Sequence, residues 1–322
     1  MANTAVFEVV ETTPEDDRRI DKVVRALTNL TVRPSQGLFQ HGGVLLNGVV
    51  CTEPWKRLVP GDKVEVNYEP GRKYKTAPKA RTYSGFDVVF EDEHLIVVNK
   101  HANLLTVPTE RGETNTLLNR VSEYLARGQR FLPKLWVVHR LDRGVSGLLV
   151  FAKHQEVSTH LRAQLAERKP LRRYLALVKG QLVANEGTFE SYLATNKSLT
   201  RYSTDDESEG EHAITHFRVL ERLRYATLVE VWLETGRRNQ IRVHFAEADH
   251  PVIGDQRYKP QLARDRFWDA SRLALQAVEL GFTHPITGRD CRFSLPMAAD
   301  MRNFLNKMKH KFENTPADAP ET

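Results

Sequence analysis

Residues 137–153 read VVHRLDRGVSGLLVFAK and contain the sharpest change of character in the chain. A polar cluster, HRLDR, is set between two apolar runs, and Gly144, Ser146 and Gly147 follow at once. Short apolar runs bounded by turn-permitting residues read as strands. The pattern therefore places a carboxylate, Asp142, on a short loop beside rigid sheet. His139 in the same cluster reads either as an acid–base group or as a residue that hydrogen-bonds and shapes the loop.

Working outward, further strand-like runs occur at WVVH (136–139), RYLALVKG (173–180), TLVEVWLE (227–234) and LALQAVEL (273–280). FDVVFEDEHLIVVNK (86–100) supplies two more around a polar turn at Glu91–His94. In this part of the chain helices are expected at NTLLNRVSEYLA (115–126) and STHLRAQLAERK (158–169). Strands and helices do not alternate as a parallel α/β fold requires. The expectation is an α+β domain over 86–310 with a mixed, mostly antiparallel sheet. DDESEGE (205–211) reads as a solvent loop between strands that repels phosphate locally, and 311–322 as a flexible tail.

Toward the N-terminus, RRIDKVVRALTNL (18–30) sets Ile20, Val23, Val24, Leu27 and Leu30 on one side of a helix. Arg18, Arg19, Lys22 and Arg25 lie toward its polar side. Pro34 and Ser35 are expected to separate it from a short helix near Gln36–His41. Asn47–Gly48 and Pro60–Gly61–Asp62 mark turns, the second leading into a strand around Val64–Tyr68. Residues 17–69 thus read as a small basic α/β module, and 70–85, containing PGRKYKTAPKARTY, as an exposed basic linker.

The chain has 322 residues, 40% of them hydrophobic and 8% aromatic, which is enough apolar side chain to exclude global disorder. A net charge of +6 and a pI near 9.2 fit a polyanionic partner and equally fit an ordinary solvated surface. Cys51 and Cys291 stand far apart and read as reduced thiols. No apolar run reaches membrane-spanning length, and MANTAVFEVVETTPEDDRR is too acidic and polar for a targeting leader. A soluble, cytoplasmic monomer without metal or cofactor is the expectation.

Two resemblances sharpen this. IDKVVRAL, GGVLLNGVV and VPGDKVEV together resemble the small RNA-binding domain first recognised in ribosomal small-subunit protein four. That likeness implies a positive helix-and-loop face that touches RNA backbone through Arg18, Arg19, Lys22 and Arg25. HRLDRGVSGLLVFAK resembles the catalytic signature of the ribosomal large-subunit type of pseudouridine synthase, and the likeness continues in order across much of 86–305. It implies that Asp142 attacks either the uracil ring or the ribose anomeric carbon, so that the base detaches from the sugar, rotates and rejoins it through C5 rather than N1.

In PLRRYLALVKG (170–180) the resemblance places Tyr174 against the target uracil, where the ring stacks and the hydroxyl helps remove the C5 proton. A partly buried sheet tyrosine is the plainer reading of the same residue. In LETGRRNQIRVHFAEADHPVIGDQRY (233–258) it places Arg242 beside the carboxylate, holding its charge. Arg237 and Arg238 are expected as phosphate clamps, and Gln240 as a group that orients the RNA or the active-site loop. Arg140, Arg143, Arg172 and Arg173 complete the expected RNA contacts, with Arg162, Arg168 and Lys169 nearby.

The chain departs from the family pattern at several places. Val145 stands where threonine is frequent, Asn239 and Gln276 where histidine is common, and NKHANLLTVPTE (99–110) replaces a lysine–proline–alanine–glycine opening. The implied partner is RNA, with large-subunit ribosomal RNA ahead of transfer RNA. A catalytically silent RNA-binding protein and a base-removing hydrolase remain as other readings.

Overall fold

The computed structural model describes residues 3–14, 18–71, 74, 85–126, 131–167, 171–268 and 270–312. Most of the expected linker and tail, with Arg168 and Lys169, lie outside these residues. The architecture is α+β: an N-terminal region of strands and two helices, then a larger mixed sheet whose pairings are mostly antiparallel.

The N-terminal region comprises β1 (Asn3–Glu8), α1 (Ile20–Thr28), α2 (Val32–Gln40), β2 (Val44–Leu46), β3 (Val49–Val50) and β4 (Lys63–Tyr68). α1 buries Ile20, Val23 and Val24, as its periodicity requires, and ends where Asn29 turns left-handed at φ 54°. α2 corrects the expected break at Pro34 and Ser35, because both lie inside it. Pro34 is in the first turn, where a missing N–H has no helical acceptor to lose, so the helix starts before it. Asn47 and Gly48 take φ 53° and 80°, as a tight two-residue hairpin demands. β1 pairs antiparallel with β4 from Asn3↔Tyr68 to Glu8↔Lys63, so the region starts before residue 17. Its core is its own cluster, including Ile20, Val24, Leu38, Phe39, Val64 and Val66.

The larger region runs β5 (Phe86–Glu91), β6 (Leu95–Lys100), α3 (Leu117–Ala126), β7 (Trp136–Val137), β8 (Ser146–Ala152) and α4 (Gln155–Ala166). It continues with β9 (Leu171–Lys179), β10 (Glu186–Thr195), β11 (Arg201–Thr204), β12 (Glu211–Arg222) and β13 (Ala226–Leu233). It closes with α5 (Gln240–Glu247), α6 (Pro260–Ala263), β14 (Leu275–Thr283), β15 (Asp290–Ser294) and α7 (Ala299–Phe312). The strand order β15-β14-β9-β13-β12-β10-β11 is antiparallel throughout, and β3 joins its β15 edge through the single parallel pair Val50↔Cys291.

β14 is where the sheet forks. Its start pairs in parallel with β8 at Gln276↔Ser146 and Ala277↔Gly147, while its remainder pairs with β15. β8 in turn carries β6 and β7. The Asp142 loop, between β7 and β8, thus ends at the fork. Cys51 and Cys291 are buried free thiols; burial pushes Cys291 up to about 12. No helix among the described residues is long and apolar enough to cross a membrane.

Candidate active site

Sheet register brings the expected residues together. Gly147 pairs with Ala277, Ala277 with Tyr174, and Tyr174 with Val231. Tyr174 is therefore two strand spacings, roughly 10 Å of backbone, from the strand that begins just after Asp142. The row depends on Gly147, at φ 118°, because a Cβ there would lie 2.1 Å from the Ala277 carbonyl oxygen.

The Asp142 loop is held from both sides. Val145 N–H donates to the Asp142 carbonyl oxygen at 3.1 Å, closing a turn on the carboxylate residue. The Val145 side chain is 3% exposed in the main core, so the methyl that replaces a hydroxyl here is packed. Thr106 Oγ donates to the Leu141 carbonyl at 2.7 Å and accepts from Leu141 N–H at 3.2 Å. Fully buried Lys100 donates to the carbonyls of His101 (2.9 Å), Leu104 (2.8 Å) and Arg143 (3.3 Å), tying the 99–110 segment to the Asp142 loop. Burial lowers its ammonium to about 7, Asp142 opposing and Arg272 adding to the fall.

Arg242 enters from the first turn of α5. Its NH1 donates to Asp142 Oδ2 at 3.0 Å, with the two side chains 12% and 20% exposed. Its Nε and NH2 donate to the two oxygens of Asp255 at 2.7 and 2.9 Å, a bidentate grip on a carboxylate with no solvent exposure. The Tyr258 ring lies 4.9 Å from the guanidinium. Burial disfavours the Arg242 charge, but Asp255 and then Asp142 outweigh it and hold the guanidinium firmly protonated. Asn239 opens α5 at φ 61°, a left-handed conformation that asparagine tolerates.

Tyr174 is 7% exposed, and burial raises its hydroxyl, with Asp142 raising and Arg172 lowering it further. His139 accepts from Val150 N–H at 3.4 Å, and burial followed by the Arg172 charge lowers it to about 3. The contact to Val150 fits the loop-shaping reading of this imidazole.

The expected RNA contacts divide. Arg140 and Arg143 are exposed beside Asp142, Arg143 donating to the Asn103 carbonyl at 3.3 Å. Arg237 and Arg238 are exposed on the loop before α5; Arg237 pairs with Glu211 at 3.2 Å and Arg238 donates to the Leu199 carbonyl. Glu211, the end of the acidic run, thus already occupies one expected clamp. Arg162 donates to the Val137 carbonyl. In the N-terminal region Arg19 and Arg25 both reach Asp21, at 3.0 and 3.5 Å, and Arg18 donates to the Thr13 and Glu11 carbonyls. Lys22 is half-buried on the same helix.

Gln240 takes the loop side of its two readings, and Arg173 departs from the expected arrangement. Gln240 is 2% exposed and its amide is spent on the protein: it donates to Ile214 O and Thr215 Oγ and accepts from Thr235 Oγ and Arg237 N–H. It braces the loop and has no amide group left for RNA. Arg173 is on the sheet face opposite Tyr174, because neighbouring strand residues alternate, and pairs there with Glu230 (2.9 Å) and Glu279 (3.4 Å). Arg172 shares the face of Tyr174 and is buried.

Sequence reasoning missed Asp255, Lys100, Thr106 and Arg272. Asp255 had a signal, an aspartate after glycine in VIGDQRY; Thr106 had none. Arg272, 8% exposed, grips Asp300 through two bonds of 2.5 Å and donates to Ser146 Oγ at 3.2 Å. Lys100, Ser146 and Arg272 line a neighbouring pocket of about 600 Å³ that does not include Asp142. Gln276 spans Pro296 O (3.1 Å) and Ala298 N (2.8 Å), a wall contact. Among the described residues, no cluster of His, Cys, Asp or Glu is placed to hold a metal ion.

Comparison with known proteins gives a consistent picture. Residues 94–247 match the family described as RNA pseudouridylate synthase. An uncharacterized RNA pseudouridine synthase of Bacillus subtilis, YlyB, is 32% identical over 94% of this chain and 98% of its own. Ribosomal large subunit pseudouridine synthase D of Escherichia coli K12 is 33% identical over 84% of each chain. The solved structure of human RNA Pseudouridylate Synthase Domain Containing 1 superposes with a TM-score of 0.56 over 76% of this chain and 100% of that one; at 21% identity this likeness speaks for the fold alone.

Proposed function

The chain belongs to the RNA pseudouridylate synthase family, and we propose that Asp142, Tyr174 and Arg242 are the residues with which it isomerises uridine to pseudouridine in large-subunit ribosomal RNA. The activity is that of the family: RNA is the partner and the enzyme is an isomerase. The observation that carries the residue assignment is the 3.0 Å contact between Asp142 and Arg242. It joins a partly exposed carboxylate to a guanidinium held in place by Asp255.

The target uridine leaves its stack to reach Asp142, a step that costs a few kcal/mol and favours loops and bulges. Asp142 gives covalent assistance to cleavage of the N1–C1′ bond. Arg242 keeps the carboxylate aimed and its charge paired. The freed uracil turns in the site, C5 bonds to C1′, and loss of the C5 proton, aided by Tyr174, restores the ring. N1 gains a proton as C5 loses one, and the covalent bond to Asp142 is released before product leaves. The product is therefore an isomer of uridine, and no redox partner is required. Water exclusion limits hydrolysis of the intermediate.

Ribosomal RNA is favoured by the relatives that carry a large-subunit name. The N-terminal region, 17–69 with β1 added, serves as the module that docks RNA backbone, and 86–310 as the catalytic domain. A cytoplasmic location follows from that substrate.

The test incubates purified protein with unmodified ribosomal RNA and maps pseudouridine at nucleotide resolution. Wild type forms product at discrete positions. Asp142→Asn, isosteric but a poor nucleophile, loses about a thousandfold or more in rate. Equal rates in the two proteins overturn the assignment of Asp142. Product only on transfer RNA overturns the substrate, and release of free uracil overturns the reaction.

A further inference from the structure

Among the described residues three arginines are more than nine-tenths buried, and two of them are answered by carboxylates. Arg201 bonds Glu211 at 2.6 Å and Arg272 grips Asp300. Arg172, 8% exposed, makes no hydrogen bond or ion pair with any described residue, and its enclosed Nε is unbonded. A guanidinium cannot shed its proton to escape burial, and an unpaired buried charge is strongly unfavourable. Such a group is tolerated where a ligand completes it.

The surroundings indicate where the ligand comes from. Arg172 is two residues from Tyr174 on β9, so both side chains leave the same face of the sheet. Its charge acts on Tyr174 and on His139, three residues before Asp142, so the guanidinium lies near both. Space for it is kept by Gly236. A Cβ at 236 would sit 2.6 Å from Arg172 NH1. Gly236 has no left-handed φ, and the nearest atoms to a Cβ there are those of the Arg172 guanidinium, so a side chain at 236 would push that group aside. The nearest catalytic carboxylate, Asp142, is already bonded to Arg242.

We propose that Arg172 is a dedicated phosphate subsite: its guanidinium takes the phosphodiester adjacent to the flipped uridine and fixes that nucleotide against Tyr174. This rests on the RNA-isomerase reading above. RNA brings one anion per nucleotide, the phosphodiester, whose two free oxygens match the planar fork of arginine. Uracil itself is neutral. Arg140 and Arg143, exposed to water, add screened attraction, whereas Arg172 is already desolvated, so its attraction for an anion is screened far less. Arg172 is a positioning residue: it holds the nucleotide and leaves bond-making to Asp142.

The experiment uses the full chain and an RNA fragment carrying a uridine mapped as a product site. The phosphates 5′ and 3′ to it are replaced in turn by neutral methylphosphonate. With wild type, one replacement raises KM by about thirtyfold or more, the scale of a lost buried charge-assisted contact, while kcat stays within about threefold. Arg172→Gln shows the raised KM on natural RNA and no further loss on the modified RNA. Arg172→Lys recovers part of it. Gly236→Ala, which crowds the guanidinium without removing charge, raises KM in the same way. Without RNA, Arg172→Gln melts at or above the wild-type temperature, because an uncompensated charge has gone.

A wild-type KM in Arg172→Gln, or losses that add between variant and modified RNA, overturns the proposal. So does a lower kcat at unchanged KM with a shifted pH profile, which would assign Arg172 to Tyr174 instead of phosphate. A lower melting temperature without RNA would make the residue structural and equally overturn it. Failure of wild type to form pseudouridine would count against the isomerase reading and is distinguishable from all of these.

Discussion

Asp255 takes two nitrogens of Arg242, at 2.7 and 2.9 Å, and leaves the third pointing at Asp142 at 3.0 Å. The arginine is therefore aimed before substrate arrives. Asp255 is itself anchored, accepting from Arg257 N–H at 2.8 Å and Tyr258 N–H at 3.1 Å. Asp255→Asn keeps the volume and removes the charge that offsets a buried guanidinium. Its expected effect is a kcat lowered by about tenfold or more with RNA affinity unchanged, and stability lowered by roughly 3 kcal/mol, the scale of a broken buried pair. Steady-state kinetics and denaturant melts check both.

Lys100 gives a pH-dependent signature. Its folded value, about 7, lies below its ordinary value of 10.5. Between the two, the unfolded chain holds a proton that the folded chain does not, so this residue makes stability rise with pH from about 7 upward. Wild type should gain several kcal/mol over Lys100→Met between pH 7 and 10.5, measured by parallel denaturant titrations. The same variant frees the His101, Leu104 and Arg143 carbonyls, and kcat should fall as the Asp142 loop loosens. A difference that stays flat with pH would refute the titration.

His244 acts in the acid range. It is 3% exposed between Ser191 Oγ (3.0 Å) and Thr215 Oγ (2.9 Å), and burial lowers it to about 4. The unfolded residue protonates near its ordinary 6.5. Its stabilising contribution is whole above that value and drains as pH falls toward 4. Relative to His244→Gln, wild type should lose on the order of 3 kcal/mol across that window. Equal acid profiles would count against it.

Gly147 is the point where the sheet forks. Its φ of 118° disfavours any side chain, and a Cβ would meet Ala277 O at 2.1 Å and Ala277 N at 2.6 Å. Gly147→Ala should cost about 3 kcal/mol or more, since no flexible neighbour can yield. Reduced soluble yield and a lowered melting temperature are the readouts. Wild-type stability in that variant would mean the β8–β14 register differs from the one described.

Local chemistry was written plainly in the chain. Asn47–Gly48 specified its hairpin, the spacing of Ile20, Val23 and Val24 specified the buried side of α1, and HRLDR specified a polar loop between strands. Each depends on neighbours a few residues away, where backbone sterics and side-chain period act directly. Pro34 shows the limit even there: its position in the first helical turn, not its identity, decided that α2 continued through it.

What folding alone decided is which distant groups meet. Asp142 and Arg242 are 100 residues apart, and their contact exists because β8 joins β14, β14 joins β9, and Asp255 turns the arginine toward the loop. The same assembly separated two adjacent arginines that looked alike in sequence. Arg173 faces Glu230 and Glu279, whereas Arg172 is buried beside Tyr174 without an answering charge. Strand alternation puts neighbours on opposite faces, but only the packed sheet determines which face becomes the cleft.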